Sequence, residues 1–131
     1  MKTIYLAGSM NSAERLRKEV SRLEWLGYNV VSQWYESDHS NQNREFQAMG
    51  DVYNLFESDI IIIDTIDPST SGGRCVELGL ALARELAGLD IHIIRIGPSD
   101  NIFFDLVRET YPTWEAFYDD ETGGFGSCLD D

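Results

Sequence analysis

The run Asp59-Ile60-Ile61-Ile62-Ile63-Asp64 restricts the fold of this chain more than any other segment. Four consecutive isoleucines favour extended backbone, because a β-branched side chain loses rotamer freedom in a helix and fits a pleated surface. Neighbouring side chains of a strand point to opposite faces, so a run that is apolar throughout needs cover on both. That is the signature of a central parallel strand, and parallel strands need long crossover connections.

The rest of the chain supplies those connections. Residues 2–7 read as a first strand ending in Gly8-Ser9. Leu16, Val20, Leu23 and Leu26 then recur at helical spacing, with Ser12 as the expected cap and Gly27 as the stop. Residues 28–32 form a second expected strand and 37–43 a polar loop. Residues 44–57 read as a helix whose apolar face is Phe46, Met49, Val52, Tyr53 and Phe56, with Asp51 outside that stripe. A loop over 65–73 leads into a helix reaching about Gly88, and 91–96 is a fourth strand. A weaker helix or strand pair covers 101–111, and Thr113 caps a last short helix to Tyr118. The alternation predicts an α/β fold, a doubly wound, flavodoxin/Rossmann-like parallel sheet with helices on both faces, whose ligands gather at the C-terminal strand ends.

A chain of 131 residues with 43% hydrophobic content can bury one core. Residues 1–118 are read as one domain and 119–131 as a flexible tail, since the tail holds five acidic residues and three glycines with no basic residue. The net charge of −13 disfavours a nucleic-acid polymer or an anionic membrane surface as partner and points to a small molecule. Any bound anion would then rely on local N–H groups and hydroxyls. Cys75 and Cys128 provide neither a disulfide framework nor zinc spacing, which fits a reducing cytoplasm. No apolar run approaches the roughly 20 residues of a membrane span. His39 and His92 are isolated, His92 reading as a core histidine, so no metal and no cofactor are expected.

The segment 67–79, Asp-Pro-Ser-Thr-Ser-Gly-Gly-Arg-Cys-Val-Glu-Leu-Gly, follows the central strand and opens a helix. Small polar residues and free N–H groups at such a positive helix end form an anion-sized cradle, although any βα loop uses glycines and hydroxyl caps. From Cys75 to Ala83 that helix is apolar or small except for Glu77, a carboxylate set in a surface that should pack on the sheet. A helix-dipole carboxylate would explain Glu77 alone about as well as catalysis does. Its neighbours shift the balance. Tyr5-Leu6-Ala7-Gly8-Ser9 ends the first strand, Asp51 stands eight positions before Asp59, and Ser71 six before Glu77 in Gly-Gly-Arg-Cys-Val-Glu-Leu-Gly.

Together these motifs resemble the nucleoside 2'-deoxyribosyltransferase superfamily, which includes the 2'-deoxynucleoside 5'-monophosphate N-glycosidases. The resemblance covers roughly residues 1–96, with a weaker echo at 114–117. It implies that Glu77 attacks the anomeric carbon of deoxyribose, that Tyr5 orients Glu77, and that Asp51 contacts the sugar or base. It also implies a homodimer or larger homo-oligomer. Gly8, Ser9, Ser71, Gly72, Gly73 and Asp64 become candidates for binding substrate at the strand ends, and Trp34 for stacking on a base, although Trp34 and Tyr35 fit packing at a strand end as well. A free base as acceptor makes the reaction a transfer, and water makes it hydrolysis. Ser9 and Ser71 match phosphate-holding positions of the monophosphate branch. Met10-Asn11 stands where that branch carries a basic residue, leaving Arg74 or Arg44 to supply one. Nucleoside and 5'-monophosphate therefore both remain open. A nucleotide-binding module without catalysis is the main alternative, and NAD glycohydrolysis the third.

Overall fold

The computed structural model describes residues 2–32, 44–68 and 72–120. Within them the chain runs β1 (Thr3–Ala7), a 3-10 turn (Met10–Ser12), α1 (Ala13–Trp25), β2 (Asn29–Val30), α2 (Arg44–Glu57), β3 (Ile60–Asp64), α3 (Gly73–Leu86), β4 (His92–Ile96), a second 3-10 turn (Phe104–Leu106), β5 (Glu109–Tyr111) and α4 (Trp114–Asp120). The sheet order is β2-β1-β3-β4-β5 and every pairing is parallel. The fold is thus a doubly wound α/β sheet of flavodoxin-like order, with the isoleucine strand at its centre and all five residues of β3 buried.

Register decides what each face receives. Tyr5 lies opposite Ile61 and Ala7 opposite Ile63, so these four side chains share one face. Leu6, Ile62 and Asp64 point to the other. α2 and α3 pack together, and Tyr5 reaches α3. On the opposite face α1 and α4 meet through Tyr118, whose hydroxyl donates to Glu19 Oε1 at 2.7 Å, and through Arg22 with Glu115 at 2.8 Å. The Arg22 guanidinium also lies 3.9 Å from the centre of the Tyr118 ring. Burial raises the Glu19 carboxyl above its ordinary pKa, against the Tyr118 hydrogen bond and Arg22, which lower it.

Several expectations change in the structure. The second strand is only Asn29–Val30, although Val31 N–H still donates to Ile4 carbonyl at 2.9 Å and the Ser32 hydroxyl accepts from Leu6 N–H at 3.0 Å. A side chain thus takes over where the backbone ladder stops. Ser12 does not cap α1 with its side chain; its hydroxyl goes to Asp67 at 3.1 Å, and Ser9 caps the preceding 3-10 turn by accepting from Asn11 N–H at 3.0 Å. The weak 101–111 region resolves into a 3-10 turn and a fifth strand. Thr113 does cap the last helix, which runs on to Asp120 rather than ending at Tyr118. His92 is partly exposed beside Glu109 at 2.7 Å on the adjoining strand, not enclosed in the core.

The largest correction concerns α2, whose limits match the expected 44–57. Phe46, Met49, Tyr53 and Phe56 are more than half exposed and Val52 nearly so, while Leu55 is the buried residue of this helix. α2 therefore docks by a narrow Leu55 edge against the sheet and α3, and its broad apolar stripe faces away from the core. At the far end of the strands, Gly97 adopts φ 117°, and a Cβ there would lie 2.7 Å from Ile66 N. Only glycine lets the chain leaving β4 cross this closely over the end of β3.

Candidate active site

β1 ends and α3 begins on the same side of β3, and this brings Tyr5 to Glu77 across 72 residues of sequence. The Tyr5 side chain is fully buried, and its hydroxyl donates a hydrogen bond to Glu77 Oε2. Glu77 sits one turn inside α3, whose N-cap Gly72 has φ 75° and offers no side-chain cap. A left-handed residue at that point is what glycine tolerates best.

Glu77 forms one wall of a cavity of about 390 Å³. Met10, Ala48, Val52, Leu55, Val76 and Leu80 make most of the lining, Gly8 and Gly73 leave room at the strand and helix ends, and Asp51 is the other carboxylate. Among the described residues no lysine or arginine belongs to it. One edge of Glu77 faces the cavity, so the residue is only half-buried, yet its carboxyl is enclosed on the remaining sides. Burial among apolar neighbours pushes the carboxyl up to about 8, the negative field of Asp51 acts in the same direction, and the Tyr5 hydroxyl works against both. A carboxylate with one directed donor in an apolar cleft has the features of a nucleophile or proton carrier rather than of a structural ion pair.

The structure brings together Glu77, Tyr5, Asp51, Gly8 and Gly73 of the expected site. Gly72 adjoins them as the cap of α3. Ser9 is buried beside Gly8, with its oxygen engaged as a cap. Ser71, Trp34 and Tyr35 lie outside the described residues.

Asp64 stands apart from the cavity lining, fully buried on the other face. Its carboxylate accepts from Arg15 Nε at 3.1 Å and Nη2 at 3.0 Å, from Trp114 Nε1 at 2.8 Å and from Ile66 N–H at 3.0 Å. These bonds use its lone pairs internally. Arg74 is likewise turned inward, 1% exposed and held by Asp100 and by the Asp67 carbonyl at 2.7 Å, so it does not offer the basic group that a phosphate clamp would need.

Sequence reasoning singled out Met10 only as standing where a basic residue was expected, and missed Ala48, Val52, Leu55, Val76 and Leu80 as cavity lining. Their only signal was helical spacing, which marks a packed face without saying what it packs against. Among the described residues no group of three or more His, Cys, Asp or Glu could hold a metal ion, and no helix is long and apolar enough to cross a membrane.

The hydrogen bond suggests a direct test of the site. Replacing Tyr5 by Phe removes a donor that favours the ionised form of Glu77, so its pKa should rise further, by about one to two units for a hydrogen bond of ~1.5–3 kcal/mol. If ionised Glu77 is required, kcat/KM rises with pH as Glu77 loses its proton, and Tyr5→Phe should move that rise to higher pH. An unshifted profile would separate Tyr5 from the working carboxylate.

Comparison with known proteins gives a structural likeness and no sequence match. No protein-family model and no curated protein matches the chain. Among solved structures it matches one described for a 2-deoxyribosyltransferase from the psychrotolerant bacterium Bacillus psychrosaccharolyticus, with 23% identity and a TM-score of 0.63 over 86% of this chain and 88% of that one. The present chain shares the fold of that 2-deoxyribosyltransferase.

Proposed function

We propose that the chain belongs to the nucleoside 2'-deoxyribosyltransferase superfamily and cleaves the N-glycosidic bond of 2'-deoxynucleosides with Glu77 as nucleophile. The observation that carries this reading is the Glu77 carboxyl, held by Tyr5 on the wall of an apolar cavity beside Asp51. The shared fold supports it. Ionised Glu77 attacks C1' of the sugar, the C1'–N bond breaks, and its electron pair leaves with the base, which takes up a proton. The sugar remains as an ester on Glu77 until a second base or water attacks C1' and releases the carboxylate. Dividing one displacement into two through a covalent intermediate is the established use of a carboxylate nucleophile at a sugar. In this reading Tyr5 orients Glu77, and Asp51 contacts the substrate.

The cavity favours a neutral nucleoside over its 5'-monophosphate. Among the described residues two carboxylates and no basic side chain line it, Arg44 at the exposed start of α2 not being part of the lining, and residues 33–43 and 69–71 contain no lysine or arginine. The exposed apolar stripe of α2 adjoins the same cavity through Ala48 and Val52. Cover by a second copy there fits a homo-oligomer and would bring the partner close to the cavity mouth.

The test is base release followed by chromatography, for each 2'-deoxynucleoside, ribonucleoside and 5'-monophosphate, with and without a free acceptor base. We expect 2'-deoxynucleosides to react, with kcat/KM at least about tenfold above the matching monophosphates, equivalent to ~1.4 kcal/mol. Exchange only with an acceptor identifies a transferase, and release without one a hydrolase. Release from none of these substrates would overturn the proposed function. Equal rates on nucleotide and nucleoside would overturn the preference.

A further inference from the structure

Arg74 is among the largest fully buried side chains and lies outside the cavity lining. Burying a guanidinium is expensive unless its donors are all engaged, so the contacts of this one show what it is for. Nη1 donates to the carbonyl of Asp67 at 2.7 Å and approaches that of Asp64 at 3.5 Å, while Nη2 meets the Asp100 carboxylate. The Phe104 ring lies 6.0 Å away on another side. The next residue of the same helical turn, Cys75, accepts from Asn101 Nδ2 at 3.4 Å through its sulfur. The first turn of α3 is thus tied both to the end of β3 and to the loop after β4.

Those ties matter because α3 has no side-chain cap of its own. Asp67 and Pro68, which follow β3, are also held from the α1 side, where Arg15 and Ser12 hold the Asp67 carboxylate at 2.9 and 3.1 Å and Asn11 Nδ2 donates to the Pro68 carbonyl at 3.2 Å. Glu77 lies three residues beyond Arg74, about one turn further along the helix. Any slip of the first turn along the sheet displaces Glu77 from the Tyr5 hydroxyl, which is anchored independently in β1.

We propose that Arg74 and Asp100 form a positioning clamp that sets α3 on the sheet so that Glu77 meets Tyr5. This rests on the reading of Glu77 as nucleophile for its catalytic consequence, but the placement of Glu77 can be measured without turnover. Three groups bear on the Glu77 carboxyl: the Tyr5 hydroxyl from β1, Asp51 from α2, and the apolar walls of the cavity. Losing the Tyr5 contact leaves the two that raise its pKa.

The experiment compares wild type, Arg74→Lys, Arg74→Met and Asp100→Asn. The Glu77 carboxyl is followed by carbon NMR of protein labelled at glutamate side chains, assigned through Glu77→Gln, with thermal unfolding and 2'-deoxynucleoside kinetics on the same samples. In Asp100→Asn and Arg74→Met the Glu77 titration should move up by at least about half a unit. kcat should fall on the order of tenfold to a hundredfold, with KM changing much less. Arg74→Lys should recover part of both. If Arg74→Met does not fold, Asp100→Asn, whose altered residue is partly exposed, carries the test. A folded Asp100→Asn protein with a lowered melting temperature and an unmoved Glu77 titration would overturn the clamp and leave Arg74 as a stability residue. A shifted titration in a protein inactive on every nucleoside would keep the clamp and reject the proposed reaction.

Discussion

Glu77→Gln is expected to lower turnover on a 2'-deoxynucleoside by on the order of 10⁴-fold or more, the scale on which removing a nucleophile acts. Glutamine keeps the shape and a hydrogen-bond acceptor for Tyr5 but cannot attack C1'. The same substitution should change stability in a defined direction. Glu77 is held near 8 in the folded protein against an ordinary value of 4.5, so between those limits the folded state retains a proton that the unfolded chain has released. Its contribution is therefore fully present below about pH 4.5 and is lost as the pH rises towards 8, at up to ~1.4 kcal/mol per unit. Glu77→Gln should flatten that part of the stability profile while leaving the far-ultraviolet spectrum native. A variant with wild-type turnover would remove Glu77 from the mechanism.

Asp64→Ala is expected to act on the fold. Four hydrogen bonds converge on the Asp64 carboxylate, including both from Arg15 and the indole N–H of Trp114. Deleting it leaves the buried indole N–H of Trp114 without its acceptor and leaves the Arg15 guanidinium only Asp67 and the Ser12 hydroxyl. Breaking a buried pair from one side costs roughly 3–5 kcal/mol, and the Arg15 side chain, 31% exposed, keeps water that places this case near the lower end. For a domain of this size the melting temperature should fall by on the order of 10 °C. Asp64→Asn, which can still accept from Trp114, should lose less. A variant of unchanged stability with a raised KM would instead return Asp64 to the substrate site.

The isoleucine strand, the parallel pairing and the limits of α2 could be read from sequence because each follows from a local pattern of burial or spacing. Glu77 was legible for a related reason, as a charge where an apolar helix face was due. Asp64 was misjudged because its position, the C-terminal end of the central strand, is where ligands bind in such sheets. What decides its role is Arg15 and Trp114, about fifty residues away on either side, and nothing local announces either partner. Arg74 failed as an anion ligand for the same reason, its partner Asp100 lying beyond β4. The α2 stripe shows the converse limit. Helical periodicity located an apolar face correctly but could not tell whether the same chain covers it.

The most direct test of the central claim is whether the sugar becomes attached to Glu77. The protein is mixed with a 2'-deoxynucleoside in the absence of any acceptor base, quenched in acid within the first turnovers and digested for mass spectrometry. The account predicts one added 2-deoxyribosyl group on the peptide carrying Glu77, absent when the nucleoside is omitted and absent from Glu77→Gln. A 2-deoxyribosyl adduct on another residue, in a protein that releases the base at its normal rate, would contradict it.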